Sequence, residues 1–352
     1  MGTQQLILYE QPRFVLPESE RAHLQGGGPL RSLEICAGAG GQALGLEQAG
    51  FQHVALVEVD EDACETLRRN RPHWNVLCAD VRSIDARAFQ GIDLLAGGVP
   101  CPPFSIAGKQ LGTEDERDLF PQVIRLASEC TPRAIMIENV RGILSSRFLD
   151  YRRAVCHALR ALGYVTAWEL VNSCDYGVPQ LRPRAVLVAV RADTGARFVW
   201  PVGRKQSTNV GDALHDMMAS EGWPGADRWR RHAQSIAPTI VGGSKKHGGP
   251  DLGPTRARRD WAALGVDGLG IADNPPGPSF EGNPRLTIPM VARIQGFPDD
   301  WAFAGRKTSA YRQVGNAFPP PVARAIGLAI AACLGAADRV ALHQASSGHP
   351  SA

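Results

Sequence analysis

Cys101 stands between Pro100 and Pro102 in GGVPCPPFSIAGKQ, directly after an apolar, strand-like run. Proline fixes its own φ and restricts the residue before it, so this thiol is carried on a stiff backbone, as a nucleophile requires. A nearby cation or helix N-terminus would favour the reactive thiolate. Most cysteines are buried and inert, but flanking glycine and proline argue against plain core packing here. Two other sets could join it. RAIMIENV places Glu138 and Asn139 where an apolar run stops; a carboxylate there is costly to bury unless paired or protonated, and a raised pKa would let it donate a proton. VPQLRPRAVLVAV puts Gln180, Arg182 and Arg184 at the start of an expected strand. Alternate residues share a face, so two guanidinium groups can point the same way; surface salt bridges are the ordinary alternative.

AGAGGQALG offers a different chemistry. Gly38, Gly40 and Gly41 predict a tight turn where a ligand approaches backbone at a helix N-terminus, and Gly38 to Ala43 fit the G-x-G-x-x-A form of a dinucleotide fingerprint. Glu58 closes the next apolar run at the spacing where an acid meets ribose hydroxyls, and Asp80 closes the third. Together they imply an adenosine-containing cofactor. The bland reading is that both acids only cap helices.

These residues need a scaffold, and the pattern supplies one. SLEIC, HVALVEVD, WNVLCAD, GIDLLAGGVP and RAIMIEN alternate with amphipathic segments such as EDACETLRRN and RDLFPQVIRLASEC. That alternation predicts an α/β fold with a doubly wound, mostly parallel sheet covered on both faces, whose ligands sit at the carboxyl ends of strands. After AVLVAVRA the texture changes: GGSKKHGGPDLGP and DNPPGPSFEGNP predict a smaller, loop-built region. Between Arg204 and Arg259 it holds ten basic residues against five acidic ones, which suits a phosphate-binding face or a solvated surface equally. The chain has 352 residues, 44% hydrophobic and 21% charged, with a formal net charge of +3: ordinary globular usage, and too little charge to identify a partner. MGTQQLILYEQPRF does not read as a signal peptide, and the tract AIGLAIAACLGAA is read as a packed terminal helix too short to cross a bilayer. Eight cysteines without a C-x-x-C pair predict a reduced cytoplasmic setting with neither metal site nor disulfides.

AGAGG, Glu58, Asp80, PCPPFS, ENV, QLRPR, RLTIPMVARIQGFPDDW and YRQVGNAFPPPVARAIG, in this order, resemble the DNA (cytosine-5)-methyltransferases, bacterial restriction-modification type. The resemblance runs from about residue 31 to 332. It implies the S-adenosylmethionine-dependent methyltransferase fold with a target-recognition domain, and methyl transfer from S-adenosyl-L-methionine to C5 of a flipped-out cytosine in a specific DNA sequence. By that resemblance Cys101 adds to cytosine C6, Glu138 protonates N3, and Arg184, supported by Arg182, stabilises charge near O2. Cofactor contacts carry over to Ala37, Gly38, Gly40, Gly41, Glu58, Val59, Asp80, Val81, Pro100, Leu119, Asn316 and Ala317. DNA contacts are expected at Ser105, Lys109, Gln110, Arg117, Lys245, Lys246, Arg256 and Arg258. Double-stranded DNA is the implied partner, a cognate restriction endonuclease fits the system type, and a monomer is expected. Cys36 departs from the family's common phenylalanine, and Met290 from its common glutamate.

The expected organisation is an extension at 1–28, a catalytic and cofactor-binding domain at 29–194, target recognition at 195–300, a returning segment at 301–340 and a tail at 341–352. Competing readings fit fewer motifs. An amino-methyltransferase needs an oxygen where Cys101 supplies sulfur; a nicotinamide oxidoreductase gives no reason for PCPPFS, ENV and QLRPR together; a transfer-RNA substrate would use the same catalytic parts; a silent DNA binder would not need Cys101, Glu138 and Arg184.

Overall fold

The computed structural model describes residues 29–100, 118–195, 197–203, 208–243 and 249–347, with side chains of the last helix described through residue 335. In chain order β1 (Leu30–Ile35), α1 (Gly41–Gln48), β2 (Phe51–Glu58), α2 (Glu61–Asn70), β3 (Val76–Cys78), β4 (Leu94–Gly98), α3 (Phe120–Cys130), β5 (Ala134–Val140), α4 (Leu149–Ala161), β6 (Tyr164–Asn172) and β7 (Pro183–Arg191) build one α/β layer structure. The sheet has seven strands in the order β3-β2-β1-β4-β5-β7-β6. The first five run parallel, and β7 pairs antiparallel with β5 and β6. Order reverses between β1 and β4, and that switch point opens a crevice at the strands' carboxyl ends.

Side-chain alternation explains why both faces are covered. Ile135 and Ile137 of β5 and Leu187 and Ala189 of β7 join one buried cluster with Phe120, Val123, Tyr151 and Val155 of α3 and α4. Their neighbours Met136, Val186 and Val188 join the opposite one, with Val322, Ile326, Ile330 and Leu334 from a C-terminal helix. A period of two in strands buried on both sides gives the near-continuous apolar runs seen in the sequence.

Beyond β7 come α5 (Val210–Ala219), α6 (Ala226–His232), α7 (Thr255–Ala262), α8 (Ile288–Ile294), α9 (Lys307–Asn316) and α10 (Pro320–Ser347). Most described residues of 201–284 are irregular, as expected, with α5, α6 and α7 set among them. Trp223, Trp229, Trp261, Leu214 and Met218 form a core there; a few large aromatic groups bury enough area without a regular repeat. The core is continuous with Leu44, Leu56, Leu67 and Trp74 of the sheet side. Trp301 ties the two parts: its ring lies 6.1 Å from that of Trp74, and its Nε1 donates to the Ala39 carbonyl. Met290, buried at the start of α8, forms a capping box with Thr287, the sulfur accepting the Thr287 N–H at 3.4 Å.

Three expectations change. β6 was not anticipated, and β7 begins at Pro183, so Gln180 and Arg182 precede the strand rather than opening it. α10 continues through the expected tail to Ser347. Within Lys307–Gly335 one 18-residue stretch is apolar enough for a bilayer, but 72% of it is buried in the molecule, and α9 and α10 are separate helices there. α10 crosses α1 closely, since a Cβ on Gly45 would lie 2.4 Å from the Pro320 carbonyl oxygen.

Candidate active site

A cleft of about 560 Å³ lies at the switch point, lined by the turn after β1, the ends of β2 and β4, the start of α3 and the end of α9. The glycine turn builds its floor. Gly38 and Gly40 have φ of +54° and +84°, the left-handed region that glycine enters without strain. Their neighbours have different tasks. A Cβ on Gly41 would lie 2.3 Å from the Phe318 carbonyl oxygen and one on Gly40 2.6 Å from Leu67, whereas one on Gly38 would meet nothing within 4 Å. Gly40 and Gly41 therefore allow the protein to pack on itself; Gly38 leaves open space at the cleft.

Glu58 ends β2 and holds this turn. Its Oε2 accepts the Gly38 N–H at 2.7 Å, and Oε1 accepts those of Val59 and Asp60, each at 2.9 Å. Of about four acceptor positions on a carboxylate, one is left for a ligand. Glu58 is not a helix cap, because Asp60 caps α2. Asp80 does cap the single turn Val81–Ser83 and pairs with Arg82 at 3.1 Å, yet it also lines the cleft. Val59, exposed at 67%, and buried Val57, Val81 and Leu119 give apolar walls.

Glu138 reaches the same cleft from the end of β5. Arg184, from the start of β7, donates its Nε to Glu138 Oε1 at 2.8 Å, and both side chains are nearly buried. Burial raises the Glu138 pKa above the ordinary carboxylate value, and the positive charges of Arg184 and Arg182 offset only part of the rise. Burial likewise lowers Arg184 from its ordinary value. Asn139, one residue on, donates from Nδ2 to the Val99 carbonyl at 3.0 Å. It thereby fastens the backbone two residues before Cys101.

Of the residues expected from the sequence, Ala37, Gly38, Gly41, Glu58, Val59, Asp80, Val81, Pro100, Leu119, Glu138, Asn316 and Ala317 line one cleft. Gly40 shapes the turn from behind it, and Arg184 adjoins through Glu138. Arg182 does not share a partner with Arg184: it is wholly buried and bonds backbone carbonyls instead. Because the chain is still irregular at Arg182, strand alternation does not govern it. Arg256 is exposed on α7, and Arg258 is half-buried, packed on Gly268. Cys101, Ser105, Lys109, Gln110, Arg117, Lys245 and Lys246 lie outside the described residues.

Sequence reasoning missed several lining groups. Glu34 and Gln42 are buried in the cleft wall. Burial raises Glu34 well above the usual carboxylate range, and the Ala43 backbone offsets only part of this. Its signal was present, an acid inside the apolar run SLEIC. Cys36, which the sequence had singled out, lines the cleft with φ +51°, uncommon without glycine, and burial beside acidic Glu58 and Asp80 pushes its thiol pKa upward. Arg312 lines the cleft one helical turn before Asn316.

A family model described as C-5 cytosine-specific DNA methylase matches residues 30–332. Type II methyltransferase M.NaeI of Lentzea aerocolonigenes is 56% identical over 311 residues, 87% of this chain and 75% of the relative. Type II methyltransferase M.NgoMIV of Neisseria gonorrhoeae is 55% identical over 300 residues, 84% and 95% of the two chains. Among solved structures, a mutant of Spodoptera frugiperda DNMT2 aligns with a TM-score of 0.60 at 18% identity, covering 84% of this chain and 97% of that one; this supports the methyltransferase α/β fold. Cleft, family model and relatives agree: the chain belongs to the C-5 cytosine-specific DNA methylase family and is a DNA (cytosine-5-)-methyltransferase.

Proposed function

We propose that the cleft binds S-adenosyl-L-methionine and that the chain methylates a flipped-out cytosine through a covalent adduct on Cys101. The observation that carries this reading is the buried Glu138–Arg184 pair, 2.8 Å across, on the wall of a cleft whose other end is the Gly38–Glu58 turn. The cleft suits the cofactor: its volume falls in the range of small-molecule sites, Gly38 leaves backbone approach open, and Glu58 retains an acceptor for a ribose hydroxyl. Asp80 would take the adenine amino group, with Val59 and Val81 against the ring. When bound, S-adenosylmethionine supplies an electrophilic methyl group.

The residues of the chain do the rest. A base inside stacked DNA is out of reach, so the target nucleotide is rotated out of the helix. Cys101 adds as thiolate to C6, and Glu138, whose pKa burial raises, delivers a proton to N3 as charge develops there. Arg184 orients Glu138 and stabilises charge near O2. The addition breaks the ring's aromaticity and makes C5 nucleophilic. Once C5 carries the methyl group, a base removes the C5 proton, the C6–S bond breaks to return Cys101 as thiolate, and N3 gives its proton back to Glu138. Arg256, Lys245, Lys246, Lys109 and Arg117 are the proposed DNA contacts, and residues 195–300 the recognition domain between the 29–194 catalytic domain and the 301–340 return. The names of the relatives, Type II methyltransferases, support a place in a Type II restriction-modification system; the same reading includes a cognate endonuclease and a monomer acting on cytoplasmic DNA.

The test is transfer of tritiated methyl from labelled S-adenosylmethionine to unmethylated plasmid DNA. Wild-type protein incorporates label. Glu138→Gln loses about 10²- to 10⁴-fold in rate, and Cys101→Ala gives no label while still binding S-adenosylhomocysteine. Label retained by Cys101→Ala would remove the thiol from its role.

A further inference from the structure

Segment 180–184 makes connections that holding Glu138 does not require. Arg182 is wholly buried, and its donors go neither to the Glu138 carboxylate nor into the cleft. Nη1 donates to the Ile240 carbonyl at 2.7 Å; Nη2 donates to the carbonyls of Gly315 and Ala317 at 2.8 and 3.0 Å. Ile240 opens the stretch Ile240–Gly243 in the proposed recognition region. Ala317, with its neighbour Asn316, lines the cleft. One guanidinium therefore joins the two proposed binding regions.

Gln180, also buried, repeats the link. Its Oε1 accepts the Ile240 N–H at 2.9 Å, and its Nε2 donates to Gln295 Oε1 at 2.7 Å. Gln295 in turn donates to the Ala317 carbonyl. The seam has no slack elsewhere. A Cβ on Gly242 would lie 2.6 Å from both the Arg312 carbonyl oxygen and Asn316 Oδ1, and a Cβ on Gly315 would lie 2.4 Å from Gly242 Cα. Asn316 Nδ2 donates to the Gly243 carbonyl at 3.2 Å.

Burying a guanidinium against carbonyls alone is expensive. The planar fork gives something a flexible group would not, a fixed spacing among three backbone segments. A displacement of Ala317 when the cleft fills must be passed to Ile240 or break a buried hydrogen bond, and a displacement of Ile240–Gly243 on DNA must be passed back.

We propose that Arg182 is a positioning residue that couples the cofactor cleft to Ile240–Gly243, the segment preceding the proposed DNA contact Lys245, so that an S-adenosyl ligand and DNA each tighten the binding of the other. The proposal rests on the cofactor and DNA assignments above. Such coupling is reciprocal by thermodynamic necessity.

The experiment uses the full chain, S-adenosylhomocysteine, and unmethylated plasmid DNA of the kind used in the transfer assay. Calorimetric titration gives the S-adenosylhomocysteine Kd with and without saturating DNA. DNA tightens binding by about tenfold in the wild type. In Arg182→Lys and in Gly242→Ala the ratio falls below about twofold, whatever the change in the DNA-free Kd. Arg182→Lys keeps the charge and loses the fork; Gly242→Ala keeps Arg182 and wedges the same seam, so a loss common to both is not an effect of removed charge. At saturating DNA both variants raise the KM for S-adenosylmethionine by more than they lower kcat. A merely structural role would lower melting temperature and activity and leave the ratio of the two Kd values unchanged. Wild-type ratios in both variants, or no ratio in the wild type, overturn the coupling alone. Failure of the wild type to methylate the plasmid overturns the functional reading and the coupling with it.

Discussion

Burial and the Arg184 guanidinium pull the protonation of Glu138 in opposite directions, and burial prevails. The acid form therefore persists above the ordinary carboxylate range and is lost as pH rises through the raised value. Removing the positive neighbour raises it further. Arg184→Met should lower the maximum of kcat/KM and move its alkaline limb to higher pH, as a rate profile would show; an unmoved limb would separate Glu138 from that titration. Glu34 has the same sign with a different consequence. Its folded pKa lies well above the ordinary 4.5, so the unfolded chain releases this proton first, and stability is lost as pH rises from the ordinary value towards the raised one. The melting temperature of Glu34→Gln minus that of the wild type should thus grow with pH from about 4.5 upward. A constant difference would mean that Glu34 is ionised in the folded protein. Glu138 and Glu34 were unequally legible. Glu138 ended an apolar run beside Asn139, where a strand-end role is expected, whereas Glu34 sat inside the run SLEIC, away from any strand end.

At the scale of elements, the turn between β1 and α1 divides its work among three glycines. Gly41→Ala places a methyl group against the Phe318 carbonyl and should cost about 1–3 kcal/mol in urea unfolding. Gly38→Ala has free space but keeps a positive φ, with a cost of about 1–2 kcal/mol, and its added methyl stands at the cleft. It should weaken S-adenosylhomocysteine binding more than Gly41→Ala does for a given loss of stability; equal effects would mean that Gly38 serves packing only. The motif AGAGG announced a turn, but not that Gly40 and Gly41 face protein. That distinction depends on Phe318 and Leu67, which are distant in sequence. β6 escaped notice for a related reason: it is the sheet's edge strand, and Val165 and Leu170 point outward at 65% and 44% exposure, so no clean alternation marks it. At β7, Pro183 removes an N–H and delays the strand, which parts Arg182 from Arg184.

Across the whole molecule, one hydrophobic cluster runs from Leu44 and Trp74 through Trp301 to Trp229 and Trp261. The regions at 29–194 and 195–300, distinguishable by composition, share that core. Calorimetry should accordingly show one cooperative transition, and Trp301→Ala, which removes a ring packed on Trp74 and Phe297, should lower it by about 3–5 kcal/mol of stability. Two separated wild-type transitions would contradict a continuous core. The sequence motifs were enough for most of the sheet, for the cleft and for the family, because Gly38, Glu58, Asp80 and Glu138 each stand near a strand end where local pattern and position coincide. The recognition half was not legible, since scattered tryptophans carry no period.

The central claim is that the cleft and the Glu138–Arg184 pair serve attack by Cys101 at cytosine C6. Its most direct test is mass analysis of nucleosides from the DNA of a methylation-free host that expresses the protein. 5-Methylcytosine with the wild type and none with Cys101→Ala is the predicted result; N4-methylcytosine, or 5-methylcytosine that survives the loss of Cys101, would contradict it.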